Sequence, residues 1–186
     1  MMTDRRAAAE AIEAFLSAIG RSEPDVLGTG ARVADMFLDD LCAGYAIDTR
    51  GLVRDSTMEA SAPVLVSVRD VPLVTTCPHH LVPSIGKATI AFQASSRILG
   101  LGTVAALASA HARRLALQER IGESIVSDLA AELAPVWVGC RIVLTHGCMV
   151  ARGERIHGTN VETVALRAPP ERVAEAHAVL GVGRTP

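Results

Sequence analysis

Two β-type runs, a long helix-type run and two further β-type runs follow one another through the middle of this chain, and few architectures accommodate that order. "VLVSVRDVPL" and "KATIAFQA" are rich in β-branched residues and bounded by turn formers, as strands are. Helical spacing then takes over in "GTVAALASAHARRLALQERIGESIVSDLAAEL", first through Val104, Leu107, Ala108, His111 and Leu115, then through Ile121, Ile125, Leu129 and Leu133. Two helices or one bent helix satisfy this spacing equally. "CRIVLTHGCMVA" and "VETVALRA" return to the strand pattern. A strand pair, two helices and a second strand pair predict an α+β architecture, an antiparallel sheet with helices packed on one face.

The flanks read as helical. Ile12, Phe15, Leu16 and Ile19 recur at i, i+3, i+4 and i+7, and Val33, Met36, Phe37 and Leu41 form a second stripe, with Thr29 placed to cap that helix and Gly44 to end it. "PPERVAEAHAVL" reads as a terminal helix opened by proline. The expected organisation is an N-terminal helical region over 1–60, a main domain over 61–168 and a helical tail over 169–186.

Composition narrows the function. Lys and Arg total 18 against 20 Asp and Glu, and aromatics make up 3% of the 186 residues. Neither a basic field nor a stacking platform for nucleic acid is present. Glu10 and Glu13 interrupt what would be the apolar core of a signal peptide, and the longest uncharged stretch, "ILGLGTVAALASAHA", is too short to span a membrane. A soluble, cytoplasmic protein is expected, with no nucleic-acid or membrane partner. In that setting Cys42, Cys77, Cys140 and Cys148 are expected to be reduced thiols, metal ligands or core residues.

"TTCPHHLVP" sets one thiol and two imidazoles within four positions, on the connection between the first two strands. Cys77 and His80 are able to bind one ion only where the chain turns, since residues three apart on a strand face opposite ways. Pro78 favours such a turn. A further ligand is offered by "CRIVLTHGCMV", where strand alternation would set His146 and Cys148 side by side on one face. Cys140 shares that face but lies too far along it, and is expected in the core with Cys42. His111, on an apolar helical face, is expected to be a core or interface histidine. His157 and His177 have no evident partner.

Taken in order, "VRDVPLVTTCPHHLVPSIGKATIAF", "LQER" and "THGCMVARG" resemble GTP cyclohydrolase I, a family with a C-x-H-H zinc motif, a QER motif and an H-x-C segment followed by A-R-G. The match runs from about Gly30 to Thr163. The resemblance implies a tunnelling fold, with sheets from several subunits closing an oligomeric β-barrel, and a homodecamer with active sites between subunits. It implies Zn2+ held by Cys77, His80 and Cys148, His79 as general acid and His146 as a second proton-transfer group. It also implies Glu119 accepting from the guanine N1 and N2 donors, Gln118 beside it, Leu101 against the substrate, and Arg32 and Arg152 on the phosphates. The implied reaction opens the imidazole ring of GTP at C8, releases formate and forms 7,8-dihydroneopterin triphosphate. Without the resemblance, Glu119 reads as a first-turn carboxylate suited to the helix dipole.

The sequence departs from the family's pattern in two places. Where the family reads G-L-S-K-x-x-R, this chain has "GLGTVAA", so Gly102, Thr103 and Ala106 replace serine, lysine and arginine. Pro78 replaces the usual glutamate before the histidines. Loss of two charge-assisted phosphate contacts is worth ~3 to 6 kcal/mol unless Arg113, Arg114 or Arg155 compensates. Three readings follow: the family's reaction on GTP, a related zinc cyclohydrolase acting on another purine nucleoside or nucleotide or stopping after ring opening, and a zinc-stabilised oligomer that binds a pterin or purine without turnover.

Overall fold

The computed structural model describes residues 3–153 and 155–183, in two compact units that meet in sequence between Ala43 and Gly44. In the first unit, α1 (Arg5–Ala18) starts at Asp4, whose side chain accepts from the amide of Ala7. It leaves Phe15 and Ile19 exposed. Helix α2 (Thr29–Asp35) approaches α1 through Gly30, where an added Cβ would lie 2.3 Å from the carbonyl oxygen of Ala9. The carboxylate of Glu13 accepts from the Gly30 amide at 2.7 Å, and Arg5 pairs with Asp35 and Asp39. The expected cap at Thr29 is displaced: Gly28, in the left-handed region at φ 72°, takes the cap position, and Thr29 opens the helix with its hydroxyl against Arg32. The helix continues as a π-helical turn over Met36–Leu41.

The second unit begins with α3 (Thr49–Asp55), capped by Asp48, and a short strand β1 (Thr57–Glu59). Then come β2 (Leu65–Thr76), β3 (Pro83–Gln93) and β4 (Arg97–Leu99), followed by α4 (Leu101–Ala112) and α5 (Gln118–Leu133). The long helical run is therefore two helices. Strand β5 (Trp137–His146), a single turn α6 (Gly147–Val150), β6 (Val161–Arg167) and α7 (Val173–Leu180) complete the unit. The strands pair antiparallel in the order β2-β3-β5-β6, with β1 and β4 as a separate ribbon, and one isolated parallel bridge joins Thr76 to Leu115.

The α+β architecture expected from the sequence is present. Helices α4 and α5 cover one face of the sheet, burying Val104, Leu107, Ile121, Ile125 and Leu129 against Leu73, Ile90, Phe92 and Ile142. The expectation that all helices share that face needs correction, because α7 packs against the other. Ala176 and Leu180 bury Ala91 and Trp137 there, and Gly139 has no side chain to block them: a Cβ would lie 2.7 Å from Leu180. Cys140 is fully buried in the main core, where desolvation pushes its thiol up to about 12. His111 is buried too, 2.8 Å from Asp128, which also meets Arg50. Among the described residues, no helix is long and apolar enough to cross a membrane.

Candidate active site

The loop between β2 and β3 turns as Pro78 suggested. Leu81 donates to the carbonyl of Cys77 at 2.9 Å, Cys77 donates to that of Val82 at 3.1 Å, and Leu81 takes a positive φ of 53°. This turn brings Cys77 Sγ and His80 Nδ1 to 3.7 Å, which strand geometry would forbid. The expected continuation of β5 through Cys148 is not observed. The strand stops at His146, and the chain winds into α6. Gly147 permits that bend, since a Cβ there would lie 2.2 Å from the carbonyl oxygen of Pro83. The bend swings Cys148 toward the loop, so that ligand atoms of Cys77, His80 and Cys148 all lie within 4.8 Å of one another.

Two sulfurs and one imidazole so placed suit a borderline-soft dication such as zinc. The Cys148 thiol is raised by partial burial and by the adjacent Cys77, the electrostatic strain that a cation between two thiolates relieves. The donor set fits the metal that the sequence implied.

Around this cluster stand most of the other expected residues. His79 is exposed and lies edge-on to His80, with ring centroids 6.2 Å apart. Arg152 brings Nη1 to 2.9 Å from Nε2 of His80. His146 closes the row Thr75–Ser84–His146 across three strands, with Ser84 Oγ 3.2 Å from Nδ1 and Gln118 Oε1 2.7 Å from Nε2. Cys77, Ser84, Gln118, Glu119 and His146 share a cavity of about 120 Å³. Glu119 also lines an open groove of about 480 Å³ running between α5 and β6, with Glu123, Thr163 and Arg167.

Gln118 was expected beside the substrate, but it is 3% exposed and its amide is spent inside the protein. Its Nε2 reaches the carbonyl oxygens of Ile142 and Val161 and the Thr163 hydroxyl, and its Oε1 reaches His146. Its contribution here is to hold His146. Leu101 opens α4 and is 64% exposed. Arg32 belongs to the N-terminal unit and is exposed. Of the arginines considered as substitutes for lost phosphate contacts, Arg114 is committed locally, donating to the carbonyls of Gly44 and Ile47 and lying over the ring of Tyr45. Ser84 and Thr163 escaped the sequence reading. Their only signal was strand alternation, which gives no partner until the register is known.

An α+β protein with a Cys-His-Cys cluster at the end of an antiparallel sheet, backed by a histidine held by a buried glutamine, is what fold and site together define. The family model described as GTP cyclohydrolase I matches residues 8–180, and the chain belongs to that family. Similar proteins include GTP cyclohydrolase 1 of Teredinibacter turnerae, 34% identical over 143 residues and 77% of each chain. GTP cyclohydrolase 1 of Caldanaerobacter subterraneus is 34% identical over 170 residues, 89% of each chain, and that of Leptospira biflexa 32% over 157 residues, 83% of this chain and 85% of its own.

Proposed function

We propose that this chain is a zinc-dependent GTP cyclohydrolase I, opening the imidazole ring of GTP at C8 with release of formate and forming 7,8-dihydroneopterin triphosphate. The observation that carries this reading is the convergence of Cys77, His80 and Cys148 within 4.8 Å, beside His146, in a chain of this family. Cys77, His80 and Cys148 would hold the zinc ion, whose chemistry when bound would be Lewis acidity and activation of water near neutral pH.

The protein's own residues do the rest. His79, exposed next to the cluster, donates a proton to the nitrogen leaving C8. His146, fixed by Ser84 and Gln118, is the second proton-transfer group. Glu119, at the rim shared by cavity and groove, accepts from the guanine N1 and N2 donors. Arg152, 2.9 Å from His80 at the cluster, is assigned to the phosphates, and Leu101, exposed at the start of α4, to the substrate. Strands β2 and β6 lie at the two edges of the four-stranded sheet, which supports closure of a barrel by pairing with neighbouring copies, ten in number as the resemblance implies. The enzyme works in the cytoplasm.

A second reading is favoured by one observation. The N-terminal turn of α4, Leu101–Ala106, carries no cation, and Arg114 is committed elsewhere. A purine nucleoside or monophosphate would not need the missing contacts. Incubation of zinc-loaded protein with GTP, GMP and guanosine separates the two, with formate and oxidised pterin fluorescence as readouts. Formate and pterin from GTP support the main reading. Turnover of GMP or guanosine alone, or formate without pterin, moves the assignment to the second, and no formate from any of the three contradicts both.

A further inference from the structure

His146 is held on both sides, and the partner at Nε2 decides which tautomer the neutral ring takes. Gln118 Nε2 lies 3.0 Å from the carbonyl oxygens of Ile142 and Val161 and 3.1 Å from Thr163 Oγ1. Carbonyl oxygens only accept, so the amide nitrogen must face them and Oε1 must face the histidine. Oε1 also only accepts, and it lies 2.7 Å from Nε2 of His146. The ring proton is therefore on Nε2. In the neutral ring Nδ1 is then an acceptor, and Ser84 Oγ at 3.2 Å is its donor. Ser84 is 1% exposed, and sheet register sets it directly opposite His146.

We propose that Ser84 is a further positioning residue of this site, its hydroxyl holding Nδ1 of His146 while Gln118 keeps the proton on Nε2. Both Ser84 and His146 line the cavity that includes Cys77, so the pair borders the site directly. Without it, Nδ1 loses its partner, the ring is held through Nε2 alone, and a proton moving to or from Nδ1 loses the hydroxyl through which it would pass. The effect on turnover rests on the reading of His146 as a proton-transfer group. The tautomer does not.

The test uses full-length, zinc-loaded protein labelled with nitrogen-15 in histidine, observed by NMR at mildly alkaline pH, together with Ser84→Ala and Ser84→Thr. The expected spectrum has His146 Nε2 protonated and Nδ1 as a hydrogen-bonded acceptor. Ser84→Ala moves the Nδ1 resonance to the position of an acceptor without a donor, and Ser84→Thr, which keeps a hydroxyl, does not. In formate release from GTP, Ser84→Ala lowers kcat about tenfold with KM within about twofold, and Ser84→Thr recovers most of the loss. A proton on Nδ1, an unmoved Nδ1 resonance in Ser84→Ala, or equal kcat for Ser84→Ala and the parent overturns the proposal. If the parent releases no formate from GTP, the functional reading fails and the nitrogen resonances alone decide for or against Ser84.

Discussion

Cys148 illustrates how much one residue depends on a neighbour that carries no chemistry. Its sulfur reaches the Cys77–His80 turn because Gly147 lets the chain bend against Pro83. Replacing it by alanine leaves one sulfur and one imidazole, too few for tight zinc binding. Cys148→Ala is expected to lose the metal, read by atomic emission, and to lower formate formation more than about a hundredfold; full metal content in the variant would contradict the ligand assignment. Gly102 gives the opposite case. Nothing lies within 4 Å of an added Cβ, so Gly102→Ser is expected to change the free energy of urea unfolding by less than about 0.5 kcal/mol. A larger loss would mean that glycine is needed there for backbone reasons. At this scale Cys77 and His80 were readable from their short spacing, while the distant Cys148 was singled out as the third ligand only by the family resemblance. Ser84 was not readable, since a single serine in a strand acquires meaning only from the residue opposite. Gln118 was assigned to the substrate from its place in "LQER"; nothing in the sequence showed that it also meets His146.

Among the elements, the β5–α6 junction is where alternation misled. An apolar-or-ligand residue at every second position through Cys148 fits a strand, and a single helical turn is too short to impose a period of its own. Packing at Gly147 decided the matter. The long helical segment resolved into α4 and α5, whose contact holds the buried pair His111 and Asp128. Burial lowers His111 below its ordinary 6.5, against the pull of Asp128. For Asp128, burial pushes upward, but hydrogen bonds from Thr49, His111 and Arg50 outweigh it and leave the carboxyl below 3.8. In both cases the unfolded chain takes up its proton at a higher pH than the folded one, so stability falls with acidification. The His111 contribution is fully present above about pH 6.5 and is lost progressively as the pH falls below it. Urea unfolding between about pH 7 and pH 5 is expected to show this decline, and His111→Gln is expected to flatten it. An equal slope in both proteins would remove His111 as the cause.

For the whole molecule, the order of periodicities was enough to predict the architecture, because two strand pairs separated by helices have few ways to form one antiparallel sheet with a covered face. The sequence was less informative about α7. Its apolar residues suit either face, and the choice falls to Gly139, which leaves room for Leu180 on the second, and to Trp137, buried in the same cluster. The barrel expected from the resemblance requires strands from other copies at the β2 and β6 edges, which lie beyond what one chain's pattern encodes. The fold brings Cys77, His80 and Cys148 together, and the reaction proposed at that cluster opens a purine ring with His79 and His146 as proton-transfer groups. Its most direct test is incubation of the zinc-loaded protein and its Cys77→Ser variant with GTP carrying a heavy carbon at C8, followed by NMR of the products. The account predicts that the label appears as formate with the parent protein and remains in GTP with the variant; retention of the label in GTP with both, or formate from both, would contradict it.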